Sequence, residues 1–154
     1  MKKYIIIIAI FIFIALGFIL INNNKEKKEQ VNTNYSVIDI KLPKVEKIEV
    51  FLFHTTQRCI SCINVGKYAK QTIDNNFTEE LNLGKIVFKE INIDLPENYQ
   101  LAEKFEAAGS SLYINTIRGD KDNIEQDLTV WRLIGDETKF EKYLKDKIDN
   151  ILKS

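Results

Sequence analysis

Ile48-Glu49-Val50-Phe51-Leu52-Phe53-His54-Thr55-Thr56-Gln57-Arg58-Cys59-Ile60-Ser61-Cys62 is the stretch whose reading decides the fold. Its first six residues are apolar enough for a buried strand. From Cys59 to Phe77, the apolar residues Ile60, Ile63, Val65, Tyr68, Ala69, Ile73 and Phe77 fall mostly at helical spacing, so a helix opens at the cysteines. Those two cysteines are the only ones in 154 residues. A C-x-x-C where a strand gives way to a helix lets two thiols share one disulfide while the helix N-terminus polarises the first of them.

Downstream, strand and helix signals alternate. After a short connection ending at Gly84, Ile86 to Ile93 is β-branched and aromatic and suits a second strand. Pro96 suits a first helical position, and Tyr99 to Ala108 continues as a helix that Gly109 is expected to terminate. Leu112 to Ile117 reads as a third strand, followed by a turn at Gly119-Asp120. The polar stretch Asp122 to Asp127 reads as a short edge strand or a loop. Leu128 to Ile134 fits one or two helical turns. Asp136 can cap a last helix whose inner face is Phe140, Tyr143, Leu144, Ile148, Ile151 and Leu152. This order predicts an α/β sandwich with helices on both faces of a small sheet.

Three segments are expected: an N-terminal signal anchor over residues 1–21, a flexible tether over 22–36, and a folded domain over 37–154. Ile5 to Ile21 holds no charged or strongly polar side chain and follows Lys2 and Lys3. That run reaches the lower edge of the ~17–25 residues that span a bilayer. A cleaved signal peptide fits less well, because cleavage after Gly17 would leave Phe18-Ile19-Leu20-Ile21 at the new terminus. The N-terminal lysines favour a single-pass protein of the cell membrane with its domain outside the cytoplasm. Asn22 to Asn34 is polar and aperiodic, as a tether would be. With Lys2 and Lys3 set aside, 20 basic residues face 22 acidic ones. No basic stripe marks a nucleic-acid partner.

The order β-α-β-α-β-helix, with C-x-x-C after the first core strand, resembles the thioredoxin fold over Lys47 to Leu152. The resemblance implies a thioredoxin-like three-layer sandwich with a central mixed sheet. Arg58-Cys59-x-x-Cys62, Asp94-Leu95-Pro96-Glu97-Asn98, Ser111-Leu112 and Val130 to Gly135 are also similar to a group of small prokaryotic thioredoxin-like proteins. Those are often labelled a nitrophenyl-compound (arsonate) nitroreductase subunit. Fold and thiol chemistry follow from that similarity; nitroreduction does not, for lack of any flavin or nicotinamide site. Thioredoxins carry a Trp before the first cysteine where this chain has Arg58, and a buried Asp where it has Phe53. A Lys near the end of their second strand is matched by Glu90, and Ser110 or Ser111 stands for the cis-proline that faces their disulfide. A cis bond before a non-proline residue costs about 2.5–4 kcal/mol, so a trans loop is expected here.

The expected chemistry is thiol–disulfide exchange with the chain's own cysteine pair as cofactor. Cys59, at the helix N-cap, is expected to be the attacking thiolate, with Cys62 resolving the mixed disulfide. Arg58 adds positive charge beside them, as a thiolate stabiliser or simply as an exposed loop charge. His54, the only histidine, is a candidate proton acceptor or a loop-bonded strand end. Glu90 is a candidate proton relay or a solvent-facing strand residue. The expected partners are protein thiols or disulfides and a membrane electron donor. A zinc site needs four ligands, and only His54 adds to the thiols, so no metal is expected. Two other readings stand beside this one. One is a non-catalytic interaction module with a structural disulfide; the other is a metal- or arsenic-handling thiol protein completed by a second chain.

Overall fold

A computed structural model describes residues 43–154. The expected anchor, the expected tether and the first residues of the expected domain lie outside the described residues. Strand β1, Lys47–His54, occupies the middle of the sheet. Its alternation sends Ile48, Val50 and Leu52 to one face and Phe51 and Phe53 to the other, so it is buried on both. Strand β2, Ile86–Asn92, pairs with it in parallel, from Ile48 opposite Ile86 to His54 opposite Asn92. Strand β3, Ser111–Arg118, pairs with its other side antiparallel, from Lys47 opposite Ile117 to Phe53 opposite Ser111.

Strand β4, Lys121–Gln126, completes the order β2-β1-β3-β4 and settles the open reading of the 122–127 stretch as an edge strand. Its exposed, charged side chains protect that edge from further pairing.

Helix α1, Ile60–Asn76, and the last helix cover the face that carries Val50, Leu52, Leu112 and Ile114. They set Val65, Ala69, Ile73, Phe140, Leu144 and Ile148 against it. Two short helices lie between α1 and the third strand: α2, Thr78–Asn82, and α3, Tyr99–Lys104, the latter entered through a 3-10 turn at Pro96–Asn98. Where the sequence suggests only a connection, these α2 residues form a helix whose positive N-terminal end Glu79 and Glu80 complement from the first turn. Helix α3 closes the opposite face, where Ala102 and Phe105 pack on Phe51, Phe53, Ile91 and Tyr113. Helix α4, Val130–Leu133, leads into α5, Glu137–Lys153, whose N-cap Asp136 accepts from the Lys139 amide at 3.1 Å. The result is an α/β fold with a mixed four-stranded sheet between helices, which fits a thioredoxin-like arrangement. Among the described residues no helix is long and apolar enough to cross a membrane.

Helix α3 stops before the expected glycine. Glu106, at φ 52°, takes the left-handed position; its amide donates to Glu103 O and the Ala107 amide to Ala102 O at 2.9 Å. These two bonds make a Schellman cap, with Ala107 packed back into the core that holds Ala102. Gly109 is left to the loop before β3. An L-residue is strained at Glu106, so Glu106→Gly is expected to stabilise the domain by about 0.5–1 kcal/mol. Urea unfolding of the two forms checks this, and a loss of stability would mean that the Glu106 side chain contributes more than its backbone costs.

Candidate active site

The parallel direction of β1 and β2, and of β4 relative to β1, brings several loops to one end of the sheet. These are the segments that follow His54, Asn92 and Gln126 and the one that precedes Ser111. Cys59 lies there as the N-cap of α1, with extended backbone (φ −76°, ψ 162°) and its Sγ accepting from the Cys62 amide at 3.4 Å. Its sulfur is 2.7 Å from Cys62 Sγ. Cys59 is exposed, whereas Cys62, one turn further in, is buried. One sulfur therefore meets a partner and the other waits behind it. Burial, the largest influence on Cys62, pushes its thiol pKa up. Hydrogen bonds with the Cys59 side chain, the Ser110 side chain and the Cys59 and Cys62 backbone outweigh it and leave the thiol below its ordinary range.

Ser110 and Ser111 part company here. Ser110 is the one of the two that helps lower the Cys62 thiol pKa, while Ser111 opens β3 opposite Phe53 and its hydroxyl donates to Gly109 O at 3.0 Å. The loop is trans throughout. His54 sits at the end of β1, with Nδ1 2.9 Å from Thr55 O, and makes no hydrogen bond to either sulfur. Arg58 makes no hydrogen bond to either sulfur. It donates from Nη1 to Glu90 Oε2 at 2.6 Å and from Nη2 to Cys62 O at 3.1 Å. Glu90 is thus an ion-pair partner on β2, opposite Leu52. The position of Phe53 is explained by its surroundings. It lies within 5.3–6.4 Å, centroid to centroid, of the Phe51, Phe105 and Tyr113 rings, which leaves no solvent for an acid at that point.

Two groups at this end go beyond the expected site residues. The first staples the loop before Cys59 to the end of β2. The Thr56 amide donates to Asp94 Oδ2 at 2.7 Å, Asn92 Nδ2 donates to Thr56 Oγ1 at 3.0 Å, and the Asp94 amide donates to Asn92 Oδ1 at 3.0 Å. The Asn92-x-Asp94 spacing after a strand is the sequence signal for this local bonding. The Thr56 amide, then its hydroxyl, holds the Asp94 carboxyl below its usual pKa. A depressed carboxyl pKa makes the staple fully present above the unfolded value and lost as pH falls through the folded one. The Thr56 amide proton shift is therefore expected to titrate with its midpoint below about 3.9; a midpoint at or above that value would contradict the staple.

The second group is apolar. Ile60 and Ile63, expected among the core positions of α1, are exposed, by 70% and 45%. Both sit in the first turn of α1 beside the redox pair rather than in the core. Leu95, Tyr99 and Leu128 are also exposed; Leu95 and Leu128 lie on the segments that follow β2 and β4 at the same end, and Tyr99 opens α3. Leu83 is exposed just before β2, at the other end of the sheet. Trp131 and Tyr143, by contrast, pack against the α1–α5 core, and Phe140 is fully buried in it.

No family model matches the chain, and no curated protein matches it. Among solved structures, the germline-specific thioredoxin Deadhead of Drosophila melanogaster is similar. Identity is 18% and the TM-score 0.38, over 66% of this chain and 81% of that one. Among the described residues no group of three or more His, Cys, Asp or Glu is placed to hold a metal ion.

Proposed function

We propose that the chain is a membrane-anchored thiol–disulfide oxidoreductase whose domain works outside the cytoplasm, with Cys59 and Cys62 as its redox pair. The observation that carries this reading is an exposed cysteine at a helix N-cap with a second, buried sulfur 2.7 Å behind it. Cys59 attacks one sulfur of a partner disulfide; the S–S bond breaks and the partner's other sulfur leaves as a thiolate that takes up a proton. Cys62 then attacks Cys59 Sγ and releases the second partner thiol. Two electrons pass to the partner, and the chain is left with one disulfide. The apolar side chains at the same end of the sheet suit a protein partner better than a small hydrophilic thiol. The anchor rests on the Ile5–Ile21 run, and kinship with the nitroreductase-labelled thioredoxin-like group is part of the same proposal.

A second reading, a binding module with a structural disulfide, draws on one observation: no imidazole or carboxylate is hydrogen-bonded to either sulfur. Trapping separates the two. In cells producing the full chain, Cys62→Ser is expected to accumulate mixed disulfides with other proteins, and Cys59→Ser is not. Equal, negligible trapping by both variants would favour the binding module.

A further inference from the structure

Arg58 and Glu90 are 32 residues apart in sequence, yet β2 and the loop before Cys59 bring them into a 2.6 Å ion pair. Their side chains are only 20% and 32% exposed. The pair runs beneath the first turns of α1, and the helix leaves room for it at one residue. A Cβ on Gly66 would come within 3.0 Å of Arg58 Nη2, 3.1 Å of Glu90 Oε1 and 2.7 Å of Leu52 Cδ2. Arg58 Nη2 also donates to the carbonyl of Cys62, the residue whose sulfur resolves the exchange, while Arg58 Nε is buried without a partner. The guanidinium is thus held by its two ends, one on the carboxylate and one on the redox turn. With two of its five N–H donors spent this way, the guanidinium sets charge and position together.

We propose that the Arg58–Glu90 pair is a positioning device that sets the redox potential of the Cys59–Cys62 couple, its two charges cancelling one another at the thiols. The reason is the sign of each charge. A cation beside a dithiol stabilises the thiolate of the reduced form and makes the couple more oxidising; an anion does the reverse. Both charges lie in a partly buried setting, where screening by solvent is weaker than at the surface. Removing one partner leaves the other uncompensated, so the two single substitutions must act in opposite directions. A purely structural ion pair has no reason to do that.

The inference rests on the oxidoreductase reading for its use, but its test does not. The full-length chain is equilibrated with mixtures of glutathione and glutathione disulfide. The latter takes two electrons and two protons from the thiols to become two glutathione molecules. Glu90→Gln keeps an acceptor for Arg58, so the fold is retained. It is expected to shift the equilibrium about tenfold toward the dithiol, about 30 mV more oxidising. Arg58→Gln is expected to shift it by a similar factor toward the disulfide, Arg58→Lys by much less, and the double variant Arg58→Gln/Glu90→Gln to return near the parent value. Shifts of the same sign in both single variants, or none in either, overturn the proposal. A parent couple below about −300 mV, the range of structural bridges, would sink the oxidoreductase reading while opposite shifts still upheld the charge pair.

Discussion

Cys59→Ser is expected to slow reduction of a protein disulfide by at least about 10³-fold, because a serine hydroxyl supplies no thiolate nucleophile at neutral pH. The fold should not change: a serine oxygen is a good N-cap acceptor for the Cys62 amide that Cys59 Sγ now binds at 3.4 Å. Cys62→Ser differs in kind. The exposed Cys59 still attacks, so a single mixed disulfide forms, but its release waits for an external thiol. The measurement is turnover of a protein disulfide in the presence of dithiothreitol, together with thermal unfolding of each variant. Residual turnover within tenfold of the parent in Cys59→Ser would place the nucleophile elsewhere.

The largest expected effect on stability lies at Asp127. Its carboxylate is almost fully buried at the end of β4. It accepts from the Thr129 amide at 2.9 Å, from the Tyr143 hydroxyl at 3.0 and 3.1 Å, and from Lys147 Nζ at 3.0 Å. Asp127→Ala leaves the half-buried lysine with only Glu125 at 2.7 Å, and strands an amide and a hydroxyl. Breaking a buried pair from one side costs about 3–5 kcal/mol, of the same order as the ~5–15 kcal/mol by which small domains are stable at all. Tyr143→Phe, which removes one donor and leaves the charges paired, is expected to cost only about 1 kcal/mol. Urea unfolding at constant m-value measures both. A loss under about 1 kcal/mol for Asp127→Ala would show that water replaces the missing carboxylate.

Much of this architecture is legible in the sequence because its signals are local. The strand Lys47–His54 announces itself by composition. The helix after it shows in its spacing, and the last helix through Asp136 and its apolar stripe. The cysteines carry their own chemistry, and strand-to-helix order places Cys59 at an N-cap. What the sequence hides depends on register. The Arg58–Glu90 pair exists because β1 and β2 align Leu52 with Glu90, and no local pattern states that alignment. Asp127 reads as one more polar residue in a polar stretch until α5 packs Tyr143 and Lys147 against it. Ile60 and Ile63 follow a helical period faithfully, yet the period gives a face and not what covers it, and both stay exposed. The early stop of α3 follows from an unusual choice, Glu106 in a position where glycine is the common solution. Phe53 is readable as a departure from thioredoxins, but its reason appears only with the aromatic cluster under α3.

The central claim is that Cys59 and Cys62 form a couple that cycles. The most direct measurement is a redox titration of the full-length chain against glutathione, followed by alkylation of each thiol. A midpoint between about −270 and −120 mV, with Cys59 alkylated well before Cys62, is the expected result. A midpoint below about −300 mV with both thiols slow to react would contradict it and leave the disulfide a structural bridge.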